Sequence, residues 1–277
     1  MTQAGRPTYV LGHQPDELAR LERQAAIYEA GTRALFAAAG IGPGQRVLDL
    51  GCGAGDVSLL AGALVGPAGE VVGVDRAAEA VAMARRRAAA RGLAHVRFIE
   101  SELDAVEVAP VDAVVGRFVL MHQPDPVQTL AQAAALVGPG GVVAVMESHL
   151  VALGAGWHSW PRSAAYERLL AAMLPIIQAA GGRTDMGLQL RHVFLAAGLP
   201  DPALDVHATP AGAQAAMMCR YMADSLRSMR ATALSLAVPC PTSADIDTLE
   251  RQMLDDAAGP GAIINGPLVV TAWARVT

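Results

Sequence analysis

A glycine-rich turn directly after an apolar strand is the segment of this chain with the clearest chemical meaning. Residues 47–50 predict an extended buried strand that contains one acid, Asp49. Three glycines follow at alternate positions, Gly51, Gly53 and Gly55. Glycine permits positive φ and the close approach of a ligand that any Cβ would obstruct. The apolar run 57–65 then predicts a helix whose free N–H groups face the turn, which favours acceptor-rich or anionic ligand groups.

A second acid lies where a ribose-binding carboxylate is expected. Residues 70–75 predict another strand, which ends at Asp75, 24 residues after Gly51. At this offset a carboxylate can accept hydrogen bonds from a ribose 2′-OH. The turn departs from the dinucleotide-binding pattern, because its third glycine comes one residue early and Asp56 stands where that pattern has glycine. Asp49 would also repel a pyrophosphate, so a ligand with a cation and no phosphate fits the turn better.

The segments VLDLGCGAGD and VVGVD resemble motifs I and II of the class I S-adenosylmethionine-dependent methyltransferases. The resemblance extends from about residue 9 to residue 150 and resumes weakly at the C-terminus. It implies that the cofactor is S-adenosyl-L-methionine, with its methionine and ribose part at the glycine turn and its ribose hydroxyls held by Asp75. The cofactor-binding residues that we predict are Tyr9, Gln24, Asp49, Gly51, Gly53, Gly55, Asp75, Arg76, Glu102, Leu103 and Arg117.

Two of these cofactor contacts have alternatives. Glu102 stands where the family has an aspartate that accepts from the adenine amino group, and it is longer by one methylene. The alternative is a solvated surface glutamate. Tyr9 begins a segment that resembles one folding over the cofactor in small-molecule members, and Gln24 lies on the helix after it. An aromatic anchor for the chain terminus is the alternative for Tyr9.

His122 is the residue that we predict as catalytic. Residues 117–122 resemble the motif IV edge, where the methionine part of the cofactor and the acceptor meet. Histidine titrates near neutral pH and suits the removal of a proton from a phenol or hydroxyl. A loop histidine bonded to backbone is the alternative. For acceptor binding we predict Glu147, His149, Trp157 and Trp160; the alternatives are that Glu147 orders a loop and that the tryptophans anchor the cap.

The order of the elements predicts an α/β, doubly wound (Rossmann-like) fold with a mostly parallel seven-stranded sheet and a helical cap insertion. The predicted strands are 47–50, 70–75, 95–100, 111–116, 142–147, 203–208 and 268–276. We expect an N-terminal helical lid segment at 1–40, an S-adenosylmethionine-binding core at 41–150, and a helical cap or substrate region with the last strands at 151–277. Ligands bind beyond the carboxyl ends of such strands, so a cap there would enclose a small acceptor.

Composition excludes several classes of protein. With 53% hydrophobic residues and a net charge of −5, the chain predicts a globular protein rather than one that binds nucleic acid. Its longest basic run, 85–87, fits a solvated helix face. The polar first residues and the lack of a long apolar stretch predict no secretory signal and no membrane segment, hence a cytoplasmic protein. The three cysteines are far apart and indicate neither a disulfide framework nor a metal site.

Together these observations predict a methyltransferase that acts on a small-molecule acceptor, in the biosynthesis of a specialised metabolite. We favour O-methylation over N- or C-methylation, and this preference rests on His122. The alternatives are an NAD(P)-dependent oxidoreductase and a noncatalytic S-adenosylmethionine-binding protein. The sequence leaves a homodimer open.

Overall fold

The computed structural model describes residues 17–150, 158–208, 212 and 214–276. The chain divides into two compact units, each assembled from three stretches of sequence. The sheet unit takes its residues from 29–147, 186–206 and 270–277, and the helical unit from 1–28, 148–185 and 207–269. The two units therefore interleave along the chain.

A seven-stranded sheet has the strand order β3-β2-β1-β4-β5-β9-β7, which confirms the predicted fold class. The four pairings among its first five strands are all parallel. Its strands are β1 Arg46–Leu50, β2 Glu70–Asp75, β3 Val96–Glu100, β4 Val111–Arg117, β5 Val137–His149, β7 Ala203–His207 and β9 Leu268–Arg275. A second, antiparallel sheet pairs β6 Ser159–Trp160 with β8 Ile263–Ile264 and was not predicted.

Eight α-helices lie in the described part of the chain. They are α1 Glu17–Ala39, α2 Asp56–Val65, α3 Ala78–Ala90, α4 Pro126–Ala135, α5 Ala164–Ala179, α6 Met186–Ala196, α7 Ala215–Ser235 and α8 Ser243–Ala257. Short 3-10 helices follow β3 and β4, at Leu103–Ala105 and Leu120–His122. The start of α4 follows from its sequence, because the side chain of Asp125 accepts a hydrogen bond from the Gln128 N–H and Pro126 occupies the first turn.

The centre of the sheet is apolar on both faces, as a parallel sheet between helices requires. Val47 and Leu48 of β1, Val74 of β2 and Val143 of β5 are all fully buried. Strand β5 begins at Val137, five residues before the predicted start, because the register against β4 shifts and accommodates the glycines at 140–141. Strands β1, β2, β3 and β4 end at the same edge of the sheet, which is where polar side chains accumulate.

The helical unit has its own core and its own ion pairs. Helices α5, α7 and α8 bury apolar side chains such as Tyr166 and Met222. Asp224 of α7 binds Arg23 of α1 and Arg227 of its own helix. None of the helices in the described ranges is long and apolar enough to cross a membrane.

Candidate functional site

The glycine turn after β1 is held by the end of the neighbouring strand β2. The N–H of Cys52 donates to the carbonyl of Val74 at 2.9 Å, which extends the β1–β2 pairing into the turn. The N–H of Gly53 donates to Oδ2 of Asp75 at 2.9 Å, and the N–H of Ala77 donates to Oδ1 at 2.9 Å. Asp75 therefore fixes the turn and the start of α3, while each carboxylate oxygen keeps further acceptor capacity.

The three glycines of the turn all have positive φ, but they serve different purposes. A methyl built on Gly51 would lie 2.7 Å from Cγ2 of Val119, and one on Gly55 would lie 3.0 Å from Ala84 and from the ring of Phe98. At Gly53 such a methyl would meet no described atom within 4 Å. The absence of a side chain thus makes room for protein side chains at Gly51 and Gly55, whereas Gly53 adjoins open space; contact of a ligand with all three glycines stays a prediction.

Asp49 is buried, with 1% of its surface exposed. Its Oδ2 accepts a hydrogen bond of 2.6 Å from the hydroxyl of Ser58 on α2. Burial raises the pKa of Asp49 to about 7, although the Ser58 hydrogen bond and the charge of Arg117 act to lower it. Asp49 therefore links β1 to α2 through Ser58. Its contact with the cofactor stays a prediction.

The other predicted cofactor residues of the sheet unit lie at the carboxyl ends of its strands. Arg76 follows β2 and is exposed, and Glu102 and Leu103 follow β3 and are half-buried. The N–H of Ser101 donates to the carbonyl of Asp75 at 3.1 Å, so the end of β3 is joined to the end of β2. Arg117 ends β4 and donates to the hydroxyl of Thr32 at 3.1 Å.

Glu147 on β5 orders the loop that follows β4. Its side chain is fully buried, and one carboxylate oxygen accepts from the N–H groups of Val119 at 2.9 Å and Leu120 at 2.6 Å. Burial raises the pKa of Glu147 to about 8, against the effect of these backbone hydrogen bonds. The hydrogen bonds to this one oxygen support the alternative that Glu147 orders the loop, and binding of the acceptor by Glu147 stays a prediction.

The remaining predicted side chains have different outcomes. His122 ends the short helix after β4 and is half-buried, in the sheet unit. His149 ends β5, belongs to the helical unit and is 9% exposed. Trp160 is 73% exposed on β6, so the structure excludes a buried anchor. Gln24 belongs to the helical unit and approaches Arg20 on α1 at 3.4 Å. Tyr9 and Trp157 lie outside the described residues.

Arg87 of α3 contacts the glycine turn, although residues 85–87 were expected to lie on a solvated helix face. Its Nη1 donates to the carbonyl of Ala54 at 2.6 Å, and its Nη2 lies 2.5 Å from a carboxylate oxygen of Asp56. Both side chains are largely buried, at 15% and 9% exposed. Arg85 also binds backbone, at the carbonyl of Phe98, whereas Arg86 is exposed. The sequence feature that could have indicated this role of Arg87 is Asp56, an acid at the start of α2 that Arg87 neutralises.

Comparison with known proteins identifies the family to which this arrangement belongs. A model described as a methyltransferase domain matches residues 41–187 of the 277 in the chain. The chain is a class I S-adenosylmethionine-dependent methyltransferase by family. The match contains the glycine turn, Asp75 and the loop after β4, and it removes the basis for the oxidoreductase alternative.

Two relatives of this methyltransferase are named for different small molecules, arsenite and aklanonic acid. It is 34% identical to the arsenite methyltransferase of Halobacterium salinarum over 140 residues, 50% of this chain and 35% of that one. It is 35% identical to the aklanonic acid methyltransferase DauC of a Streptomyces strain over 103 residues, 36% of this chain and 47% of that one. The chain thus spans less than half the length of either relative.

A solved structure extends the similarity of fold beyond the matched region. The geranyl diphosphate C-methyltransferase of Streptomyces coelicolor superposes with a TM-score of 0.55 at 15% identity. The superposition covers 95% of this chain and 85% of that one, and at this identity it shows the fold alone.

The residues of the sheet unit fit the cofactor of the family. Gly53 adjoins open space at the turn, and Asp75 beside it retains acceptor capacity for ribose hydroxyls. Glu102 and Leu103 continue the same edge at the end of β3, and their predicted contact with adenine stays an expectation from the resemblance. Among the described residues, no group of three or more His, Cys, Asp or Glu side chains is arranged to hold a metal ion.

The two buried carboxyls predict that stability falls with rising pH. Burial raises the pKa values of Asp49 and Glu147 to about 7 and about 8, so the folded chain retains protons that the unfolded chain has lost. The free energy of unfolding should therefore fall between about pH 4 and 8, by up to about 1.4 kcal/mol per pH unit for each group. Thermal unfolding across this range measures the slope. Asp49→Asn should flatten it and the exposed Asp104→Asn should not; equal slopes would refute this assignment.

The contacts of Arg87 predict a role in folding that Arg86 does not share. Arg87→Ala leaves the Asp56 carboxylate largely buried without its cation and should lower the free energy of unfolding by about 1–3 kcal/mol. Arg86→Ala, one residue away and exposed, is the matched control and should change stability by less than about 0.5 kcal/mol. Urea unfolding followed by circular dichroism measures both; similar losses in the two variants would contradict the expectation.

Proposed function

We propose that this protein transfers a methyl group from S-adenosyl-L-methionine to a small-molecule acceptor. The observation that carries the proposal is the turn at Gly53, which adjoins open space while the Asp75 carboxylate binds its backbone. A ligand there meets bare peptide on one side and a carboxylate on the other. That combination suits a sugar with vicinal hydroxyls next to a group that carries no phosphate.

The contribution of the protein to such a reaction is mainly alignment. When bound, the cofactor supplies a methyl group on a sulfonium, which an acceptor oxygen, nitrogen or carbon attacks in line with the departing sulfur. Holding two reactants in the productive orientation can supply roughly 7–11 kcal/mol of the barrier. A hydrogen bond from Gly53 to Asp75 holds the turn and a buried one from Leu120 to Glu147 holds the loop after β4, which supports such a positioning role.

Methylation of oxygen is the reaction that the residues after β4 favour. His122 ends the short helix at the carboxyl edge of the sheet, and an imidazole can take the proton from a phenol or hydroxyl as the new bond forms. The relatives named for arsenite and aklanonic acid support a small acceptor. The second of these supports a role in the biosynthesis of a specialised metabolite.

Calorimetry with S-adenosylhomocysteine tests the cofactor, and a turnover assay tests the chemistry. We expect saturable binding of S-adenosylhomocysteine and methyl transfer to at least one member of a panel of phenols, hydroxy acids, amines and arsenite. Binding without any transfer would favour the noncatalytic alternative. A chain that gives no heat with S-adenosylhomocysteine would refute the whole proposal.

Asp75 should dominate cofactor affinity. Asp75→Ala removes the acceptors for the Gly53 and Ala77 N–H groups and for the ribose hydroxyls, so binding of S-adenosylhomocysteine should weaken by about 1–3 kcal/mol. Asp75→Asn keeps one acceptor oxygen, so its affinity for S-adenosylhomocysteine should lie between those of Asp75→Ala and the parent protein. Glu79→Ala removes an exposed carboxylate from the first turn of α3 and serves as control. An unchanged dissociation constant in Asp75→Ala would show that the ribose lies elsewhere.

His122 should affect turnover more than binding. His122→Ala removes the proposed base and should lower kcat by about 10²–10⁴-fold for a hydroxyl acceptor, with the S-adenosylhomocysteine dissociation constant within about threefold of the parent. His192→Ala, on the exposed face of α6, is the matched control. Steady-state kinetics at saturating cofactor separates the two effects. Full activity in His122→Ala would remove this histidine from the mechanism.

A further inference from the structure

The loop between β4 and the short helix Leu120–His122 has a strained backbone. Phe118 has a φ of 57°, a left-handed conformation that residues with a side chain rarely adopt. Its N–H donates to the carbonyl of Met146 at 2.8 Å, so β5 holds the first residue of the loop. Strain of this kind persists only where surrounding contacts impose it.

The contacts that impose this conformation converge on the Glu147 carboxylate. Glu147 follows Met146 on β5, and its Oε1 receives the next two N–H groups of the loop, those of Val119 and Leu120. Two successive amides thus donate to one oxygen of the Glu147 carboxyl group, which can accept both hydrogen bonds whether or not the other oxygen carries a proton.

The side chain of Val119 connects this loop with the glycine turn at residues 51–55, called the cofactor turn below because of the proposed function. A methyl on Gly51 would lie 2.7 Å from Cγ2 of Val119, and a methyl on Gly116 would lie 2.9 Å from Cγ1. Val119 therefore packs between a glycine of the cofactor turn and a glycine of β4, and it is 6% exposed. A shift of the loop would move Val119 away from Gly51 and leave the turn without its packing partner.

Glu147 also carries an energetic cost that its packing does not explain. Its second oxygen, Oε2, is buried and has no hydrogen-bond partner among the described residues. A buried polar atom without a hydrogen bond destabilises the folded chain, because it has lost its contacts with water. An apolar side chain of similar size would avoid that cost but would leave the amides of Val119 and Leu120 unpaired.

We propose that Glu147 is a positioning residue, whose carboxylate holds residues 118–122 so that Val119 packs on the cofactor turn and His122 lies at a fixed place. The consequence for cofactor and acceptor rests on the proposed function. The consequence for the loop does not, because the hydrogen bonds from Val119 and Leu120 exist without any ligand. The two consequences can therefore be measured separately.

Amide hydrogen exchange on the full chain without cofactor tests the loop. Glu147→Leu retains side-chain volume and removes the acceptor, so the amides of Val119 and Leu120 should exchange at least about tenfold faster than in the parent. Glu147→Gln keeps an oxygen that can accept these bonds and should restore exchange to within about threefold. Val143→Ala, a fully buried truncation on the same strand, is the control for general destabilisation.

The outcomes distinguish positioning from ordinary burial. Unchanged exchange at Val119 and Leu120 in Glu147→Leu, or an equal acceleration in Val143→Ala, would overturn the proposal. Calorimetry with S-adenosylhomocysteine should then show about tenfold weaker binding for Glu147→Leu and near-parent binding for Glu147→Gln. If the parent itself fails to bind, the proposed function is refuted while the exchange result still decides the role of Glu147. Should Glu147→Leu not fold, Glu147→Asp provides the same test with a carboxylate too short to reach both amides.

Discussion

The hydrogen bond from the Gly53 N–H to the Asp75 carboxylate is the interaction on which the rest of the site depends. It joins two strand ends that are neighbours in the sheet and 22 residues apart in the chain. The Gly53 N–H points toward Asp75 at the end of β2, and the positive φ of Gly53 is a conformation that glycine adopts without strain. The same carboxylate accepts from Ala77 at the start of α3, so one side chain sets the turn and the helix after β2. A ribose in this position would bind to a carboxylate that is already oriented, which lowers the entropic cost of binding.

Acids at the carboxyl edge of the sheet divide according to what satisfies them. Asp49 and Glu147 are buried and accept hydrogen bonds from the protein, from Ser58 and from the loop after β4. Asp75 is half-buried, and its protein contacts leave acceptor capacity beside open space. The buried Asp49 and Glu147 thus stabilise the elements around the site, and the accessible Asp75 is available to a ligand. This division follows from desolvation, because a fully buried carboxylate must be satisfied by the protein or retain its proton.

Most of the sheet could be predicted from sequence, because apolar runs that end in acids or glycines are local signals. The seven strands, their mostly parallel arrangement and the helices α2 and α3 followed from these runs. The partners of the site residues could not be predicted. Asp49 looks like a ligand-facing acid until Ser58 is placed nine residues later on the face of α2 that meets it. Arg87 looks solvated until α3 packs beside the turn, since its partners at Ala54 and Asp56 are more than thirty positions away.

The three glycines of the turn differ in why a side chain is absent. Of the three glycines, Gly51 and Gly55 are required because Val119, Ala84 and Phe98 approach their backbones, and this would hold in the absence of any ligand. Only at Gly53 does the missing side chain leave space that a bound molecule can use. A motif of this kind therefore specifies mainly the packing of its own loop against β3, α3 and the loop after β4. That packing leaves the Gly53 peptide beside open space and next to the Asp75 carboxylate, so substitutions at the two packed glycines would alter ligand binding by displacing the loop.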